Sequence, residues 1–356
     1  MSETVAAIDC GTNSVRLLIS HIAESGHDGD VALVDLERRM EVVRLGQDVD
    51  RTGAFAPEAL ERTFTALENY AKLLRANGVE VGPQTVRMVA TSASRDVANR
   101  DEFVAGVRAI LGVEPEVISG DEEAELSFVG ATAELADDAV EEIDGAEVGH
   151  DEDPPPFLVV DIGGGSTEFV LGHDADQDAD QDAGNDPGGT GSVSEPDAAV
   201  RAARSVDVGC VRLTERHLTS DPPTQEQIAA ARADIEASLD EVERTVPLRQ
   251  ARTLVCVAGT ATTVAGIAES LASYDPELIH LSRVPAHRVH EIAAELLRLP
   301  RQDRAAIAVM HPGRVDVIGA GALILDHVVR RVGAAEFVAS EHDILDGIVW
   351  ELALRQ

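Results

Sequence analysis

The sequence predicts an α/β fold in two units, and three observations carry that expectation. A chain of 356 residues with 44% hydrophobic content can fill two cores of ordinary domain size. Short apolar runs that read as strands are interspersed with segments of helical spacing. One strand-turn-strand segment occurs twice, at a constant offset of 152 residues, which marks an internal repeat.

The first copy opens the chain. Thr4 to Ile8 is a short apolar run, Asp9-Cys10-Gly11-Thr12-Asn13-Ser14 is a turn, and Val15 to Ile19 is apolar again. In the second copy Phe157 to Ile162 is rich in β-branched residues, the pattern of a strand covered on both faces, and the apolar run resumes at Phe169. Gly163-Gly164-Gly165 removes every Cβ where the chain turns, so backbone N–H groups can approach an anion, and Ser166 and Thr167 add hydroxyl donors. Asp9 aligns with Asp161, Gly11 with Gly163 and Ser14 with Ser166. Two such hairpins can face each other across a cleft and hold one phosphate group from both sides, although each alone also reads as an ordinary hairpin turn. One position differs in charge: Arg16 stands where the second copy has Glu168.

Between the copies, Val31 to Leu36 reads as a strand, Arg38-Arg39 as a turn, and Pro57 to Asn77 as a helix started by Pro57 and stopped by Gly78. Val86 to Ala90 is another strand. It runs into Thr91-Ser92-Ala93-Ser94-Arg95-Asp96, where hydroxyls and one arginine suit anion binding, or equally a helix N-terminus with a surface arginine. Val113 to Ile118 reads as a strand, and Ser119 to Glu122 fits a capping box. Glu122 then turns back to the cap, leaving Glu123, about 100° further round the helix, free to act as a general base. Its place in the first turn favours the ionised form. Asp121-Glu122-Glu123 also reads as a solvated acidic first turn.

After the second copy, Val206 to Glu215 resumes the fold with Arg212 near a glycine, and Gln225 to Val246 has the spacing of a long amphipathic helix. Thr253 to Ala258 is a strand leading into Gly259-Thr260-Ala261-Thr262-Thr263, a second small-residue turn suited to a ligand. His287 and His290 share a helical spacing without a third ligand nearby and read as surface residues. His311-Pro312-Gly313-Arg314 is expected to open a helix through Gly319 and Gly321, and a final helix is expected to end at Gln356.

The charge balance is extreme: 65 acidic against 29 basic residues, net −36, with Lys72 the single lysine. Such self-repulsion disfavours a compact state in dilute buffer, whereas at molar salt the Debye length falls to about 3 Å, so a salt-rich, halophile-like cytoplasm is expected. Binding to nucleic acid or an anionic membrane is disfavoured by the same charge. Asp137 to Asp153 and His173 to Ala199 carry nine and eight acidic residues and no lysine or arginine, and both read as disordered inserts, about 137–155 and 173–200. They account for −17 of the charge, leaving −19 on the folded body. Cys10, Cys210 and Cys256 are isolated and read as reduced, buried small hydrophobes. Neither a basic leader nor an eighteen-residue apolar run is present, which predicts a cytoplasmic protein.

Seven segments, AAIDCGTNSVRLL, TSASRDVAN, ISGDEEAELSF, VVDIGGGSTEFV, VGCVRLTERH, VAGTATTVAG and HPGRVDVIGAG, together and in this order resemble the exopolyphosphatase and guanosine pentaphosphate phosphatase family (Ppx/GppA). The resemblance covers almost the whole chain outside the acidic inserts. It implies two ribonuclease H-like domains of the actin, sugar kinase and Hsp70 superfamily with the active site in the interdomain cleft. The expected units are 1–119 and 120–342, with a C-terminal helix about 343–356 packing back on the first. Residue by residue it implies a catalytic glutamate at Glu123 and metal carboxylates at Asp161 and Glu168, holding Mg²⁺ or another divalent cation. Phosphate-binding positions fall on Gly11, Thr12, Asn13 and Ser14, on Gly163, Gly164, Gly165, Ser166 and Thr167, and on Arg95.

The expected reaction is hydrolysis of a terminal phosphoanhydride of polyphosphate or guanosine pentaphosphate, with Arg95, Arg16 and Arg212 receiving the rest of the polyanion. The family also suggests a homodimer. The inserts, the single lysine and the lack of the C-terminal extension of long members depart from the pattern and leave processivity on long polyphosphate open. An ATP-dependent kinase or ATPase of the same superfamily and a sensor that binds without turnover are the competing readings. A P-loop enzyme is excluded, because no G-x-x-x-x-G-K-[ST] is present.

Overall fold

The computed structural model describes residues 4–24, 31–95, 97–137, 140–143, 146–149, 154–173 and 199–355. The first unit consists of β1 (Thr4–Cys10), β2 (Ser14–Glu24), β3 (Val31–Val42), α1 (Val49–Thr52), α2 (Pro57–Ala76), β4 (Val86–Ala90), α3 (Ser92–Arg95), α4 (Arg100–Leu111) and β5 (Glu116–Val117). Helix α5 (Gly120–Asp137) and a hairpin of β6 (Val140–Ile143) and β7 (Ala146–Gly149) lead to β8 (Phe157–Ile162), β9 (Thr167–His173) and β10 (Ala199–Val206). The rest comprises α6 (Cys210–His217), α7 (Gln225–Val242), β11 (Thr253–Val257), α8 (Ala258–Ala268), α9 (Pro276–Ile279), β12 (Arg283–Pro285), α10 (Ala286–Arg298), α11 (Arg301–Ala305), α12 (Ile318–Val332), β13 (Glu336–Ala339) and α13 (Ile344–Leu354).

The repeat seen in the sequence is a repeat of topology. One sheet has the order β3-β2-β1-β4-β5 and the other β10-β9-β8-β11-β13-β12. In each, a three-stranded antiparallel meander continues into parallel strands: β1 pairs β2 antiparallel and β4 parallel, as β8 pairs β9 and β11. The central strands β1, β4, β8 and β11 are buried almost throughout, because helices cover both faces and leave no solvent side to alternate with.

Each sheet has its own core, one around Leu17, Leu67, Tyr70 and Phe103 and one around Phe169, Cys256, Leu323 and Phe337. Two helices lie where the units meet. Helix α13 places Ile344, Ile348 and Leu352 against Val5, Ala7 and Leu18 of the first sheet, with Leu126 of α5. Helix α5 turns Ala124, Phe128 and Leu135 to Val159, Val170 and Val255 of the second. The two helices cross closely: a Cβ on Gly130 would lie 1.9 Å from the Asp343 carbonyl oxygen, and one on Gly347 would lie 2.1 Å from that of Leu126. Only glycine fits at either position.

Several local expectations change. Arg38 and Arg39 do not turn the chain. Strand β3 runs straight through them, with Arg38 paired to Asp35 at 3.0 Å and to Asp346 of α13. Ser119 Oγ accepts from the Glu122 N–H at 3.1 Å, but the Glu122 carboxylate reaches the buried Arg87 at 2.8 Å instead of returning to the cap. An ion pair shared with Glu116 and Glu351 outcompetes the local bond. The segment His311 to Arg314 precedes α12 rather than opening it, since the helix begins at Ile318. The strand expected over 113–118 is the two-residue β5, and the helix expected to reach Val246 ends at Val242.

In the first acidic insert, expected to be disordered, the described backbone pairs β6 with β7 antiparallel. The expected disorder of 174–198 lies outside the described residues. All three cysteines are buried and unpaired. Among the described residues no helix is long and apolar enough to cross a membrane.

Candidate active site

The two glycine turns are the same structure used twice. The Gly11 N–H donates to the Ser14 carbonyl at 3.0 Å, and the Gly163 N–H donates to that of Ser166 at 3.1 Å. They meet face to face: a Cβ on Gly164 would lie 3.0 Å from Thr12 Cβ, and one on Gly165 would lie 2.5 Å from Thr12 Oγ1 and 2.7 Å from Ser92 Oγ. The absent side chains let the loops close on each other. Gly209 continues the packing, since the Cys210 N–H donates to the Gly163 carbonyl at 3.0 Å and the Val211 N–H to that of Gly164 at 2.9 Å.

Between the loops lies a cavity of about 100 Å³, lined on one side by Gly11, Thr12, Asn13, Ser14 and Arg16 and on the other by Asp161, Gly163, Gly164 and Ser166. Glu123 also lines it, as do Asp9, Thr91, Ser92, Gly259, Thr260 and Arg314. Of the residues singled out from the sequence, Gly165, Thr167, Glu168 and Arg95 are not in this lining. The Thr167 hydroxyl donates to the Val208 carbonyl at 2.5 Å, so it is used within the fold. Arg212 is turned elsewhere, pairing with Asp207 at 2.5 Å and Asp50 at 3.2 Å.

Cross-strand register sets the charges. Asp9 lies opposite Arg16 on β1 and β2, and Asp161 lies opposite Glu168 on β8 and β9. Arg16 donates to Asp9 at 2.7 Å and also pairs with Asp343, the residue that caps α13. Burial alone would lower the Arg16 pKa, but Asp343 and Asp9 hold it well above the ordinary value. No cation faces the second pair in the same way. Burial, with the Glu168 charge added, pushes the Asp161 carboxyl up to about 8. Glu168 is raised by burial, against a 2.7 Å hydrogen bond from Ser205 Oγ to its Oε1, while its Oε2 is buried with no partner.

Glu123 is paired with Arg95, which also donates to the Ile118 carbonyl at 3.0 Å. Its pKa is nevertheless raised well above the carboxylate range, first by burial and then by the Glu168 charge. Desolvation here opposes the first-turn position, which by itself favours the ionised form.

Among the described residues no three or more His, Cys, Asp or Glu side chains form a group that could hold a metal ion by themselves. Asp161 and Glu168 form a two-carboxylate site, which suits an oxygen-liganded divalent cation that takes its remaining ligands from phosphate and water. The orphaned Glu168 Oε2 and the raised pKa values of the pair both fit a missing positive charge.

Three participants were not singled out as site residues. Asp9 was visible only as the counterpart of Asp161 in the repeat, and Arg314 only as part of a loop expected to be helical. Asp343 lies 327 residues from Arg16 and carries no local sign of its partner.

A family model described as the Ppx/GppA phosphatase family matches residues 21–356. The chain belongs to this family. Among Ppx/GppA relatives it is 47% identical over 358 residues to exopolyphosphatase 2 of Mycobacterium tuberculosis, covering 98% of each chain. It is 29% identical over 240 residues to a guanosine-5'-triphosphate,3'-diphosphate pyrophosphatase of Pseudoalteromonas atlantica, covering 67% of this chain and 38% of that one. The crystal structure of an exopolyphosphatase-like protein superposes with a TM-score of 0.81 at 42% identity, over 99% of both chains. The Aquifex aeolicus Ppx/GppA enzyme superposes with a TM-score of 0.71 at 26% identity, over 98% of this chain and 99% of that one. The Ppx/GppA chain thus has the two-domain α/β, actin-like fold of these neighbours.

Proposed function

We propose that the protein is a phosphoanhydride hydrolase that releases the terminal phosphate of inorganic polyphosphate or guanosine pentaphosphate. The observation that carries this reading is the pair of facing glycine turns with Glu123 and Asp161 in the wall of the cavity between them. Its volume of about 100 Å³ suits one phosphoryl group. Turn N–H groups from Gly11 to Ser14 and from Gly163 to Ser166 would bind that group's oxygens, and hydroxyls of Thr12, Ser14 and Ser166 would add donors.

Asp161 and Glu168 would hold a divalent cation, with Mg²⁺ the expected one. Bound there, it supplies positive charge beside the phosphoryl oxygens. Glu123 would orient the attacking water and accept its proton, and Arg95 holds the Glu123 carboxylate in place. Arg16 neutralises Asp9 so that the approach of an anion to the first turn is not opposed. In this reading the first unit is 1–119 and the second 120–342, with the catalytic glutamate on the first helix of the second unit.

The test is phosphate release by Glu123→Gln. The variant should keep the far-ultraviolet circular dichroism of the parent and lose roughly 10²-fold or more of its turnover on both substrates. Near-normal turnover would remove Glu123 from the mechanism.

A further inference from the structure

Each glycine turn is held from behind by a short segment of its own unit. The Asn13 carbonyl accepts from the Val43 and Arg44 N–H groups at 3.0 and 2.8 Å, and the Thr12 carbonyl accepts from the Gly46 N–H at 2.9 Å, so residues 43–50 hang on the first turn. The packing is close enough that a Cβ on Gly46 would stand 2.2 Å from Thr12 Cγ2. In the second unit the Gly163 carbonyl accepts from the Cys210 N–H at 3.0 Å, and that of Gly164 from Val211 and Arg212 at 2.9 and 3.1 Å. Helix α6 thus hangs on the second turn. A shift of either segment moves its turn, because close-packed groups transmit displacement.

The two segments meet on one carboxylate. Asp50 of α1 receives Arg212 Nε on Oδ1 at 3.2 Å, and Arg216 on Oδ2 at 2.8 and 3.0 Å. Both arginines come from α6, one helical turn apart, and each is braced by an acid of its own unit: Arg212 by Asp207 at 2.5 Å and Arg216 by Asp234 at 3.5 Å. Only about 10 Å³ of space remains between the segments, lined by Thr12, Gly46, Val211 and Arg212 among others, which is too little for a ligand.

The backbone of 43–50 is not relaxed. Arg44 and Asp48 have φ of 51° and 59°, a left-handed conformation that is costly for residues other than glycine. Both touch the second unit, Arg44 through its 2.8 Å pair with Asp316 and Asp48 through its N–H, 3.4 Å from Glu215 Oε1. Contacts across the units therefore favour a conformation that the segment alone disfavours.

Arg212 was expected to receive the polyanion, yet it is not in the lining of the phosphate cavity. We propose that Arg212 is instead a positioning residue: with Arg216 it clasps Asp50 behind the two glycine turns and sets how far apart the turns stand around a phosphoryl group. Partly exposed ion pairs add little to folding, but a clasp has only to favour one of two cleft widths of nearly equal energy. This inference rests on the phosphate-cleft reading and deepens it.

The experiment measures kcat and KM for polyphosphate, and the inhibition constant of inorganic phosphate, in the wild type, Asp50→Asn, Arg212→Gln and the double variant. Inorganic phosphate fits between the turns and does not extend to Arg212. Each single variant should raise KM and the phosphate inhibition constant by roughly fivefold, and the double variant should be within about twofold of the worse single one. A ligand role would show differently: Arg212→Gln would raise KM and leave inorganic phosphate unaffected, while Asp50→Asn, which frees the arginine, would lower KM. That pattern would overturn the clasp. Spin labels on Glu68→Cys of α2 and Glu295→Cys of α10, both exposed, report the spacing of the units directly by pulsed electron resonance, since the native cysteines are buried. Asp50→Asn should broaden or lengthen the label distance, and an unchanged distribution would overturn the clasp. If the wild type neither releases nor binds phosphate, the cleft reading falls, while a lengthened label distance in Asp50→Asn still upholds the clasp.

Discussion

Asp9 faces Arg16 across the first hairpin and Asp161 faces Glu168 across the second, on backbones that turn with the same hydrogen bond. The first pair is closed electrostatically, since Arg16 sits between Asp9 and the Asp343 cap of α13. The second is left open: two buried carboxylates oppose each other, and among the described residues neither is ion-paired with an arginine as Asp9 is with Arg16. Duplication has therefore produced two loops that can bind the same kind of ligand and two strand pairs that do different work. One ties the first turn to the C-terminal helix, and the other places two carboxylates side by side.

The largest effects should come from the open pair. Glu168→Gln removes one of two opposed buried charges. In chelator it should raise the urea midpoint, because a buried unpaired carboxylate opposes folding. The same change should reduce phosphate release by at least roughly 10²-fold. Adding Mg²⁺ should raise the wild-type melting temperature, by the equivalent of about 2.7 kcal/mol at a hundredfold excess over Kd, and leave Glu168→Gln unmoved. Equal Mg²⁺ stabilisation of both proteins would place the cation elsewhere.

The closed pair should respond in the opposite sense. Arg16→Gln strips the partner from Asp9 and from Asp343, and breaking such a buried pair costs about 3 kcal/mol. Adding Asp9→Asn to it should recover part of the loss in urea unfolding, giving a favourable coupling between Asp9 and Arg16. The corresponding cycle on Asp161→Asn and Glu168→Gln, in chelator, should show coupling of the other sign. Two cycles with the same sign would erase the distinction between the hairpins.

Much of this was legible in the sequence, for reasons that can be stated. The repeat of D-x-G-x-x-S gave both turns and their likeness, because a tight glycine turn between buried strands leaves a local mark. Helix α2 was visible because Pro57 and Gly78 bound it and its apolar spacing is regular. Pairings over long sequence distances were not visible. Asp343 reads as an ordinary cap, Arg38 and Arg39 read as a turn, and Glu122 reads as half of a capping box, until the partners that α13 and Arg87 supply are brought alongside. The raised pKa of Glu123 was not legible for a related reason: the helix terminus is local, whereas the burial that opposes it comes from the closing of two units.

The smallest predicted effect is the sharpest comparison of the two turns, since it concerns one methyl group. Gly11 and Gly163 hold equivalent places, but Gly165 has no room where Gly11 has some. A Cβ on Gly11 would meet the Ser14 carbonyl oxygen at 3.5 Å, an ordinary contact, and its backbone is not in the left-handed region. Gly11→Ala should therefore change stability by less than about 1 kcal/mol, with the loss of unfolded-state freedom acting in its favour. A Cβ on Gly165 would stand 2.5 Å from Thr12 Oγ1 and 2.7 Å from Ser92 Oγ, two hydroxyls already 2.9 Å apart and bonded to each other. Gly165→Ala must push the two loops apart or break that bond, and should cost about 1–3 kcal/mol. It should also raise KM for either substrate by widening the phosphate cavity. Gly165→Ala combined with Thr12→Ser, which trims the facing side chain by one methyl but leaves the hydroxyl, should still be destabilised, because the closest contact is the oxygen. Full recovery in that double variant would mean that methyl packing, rather than the Thr12–Ser92 hydrogen bond, sets how closely the two turns approach.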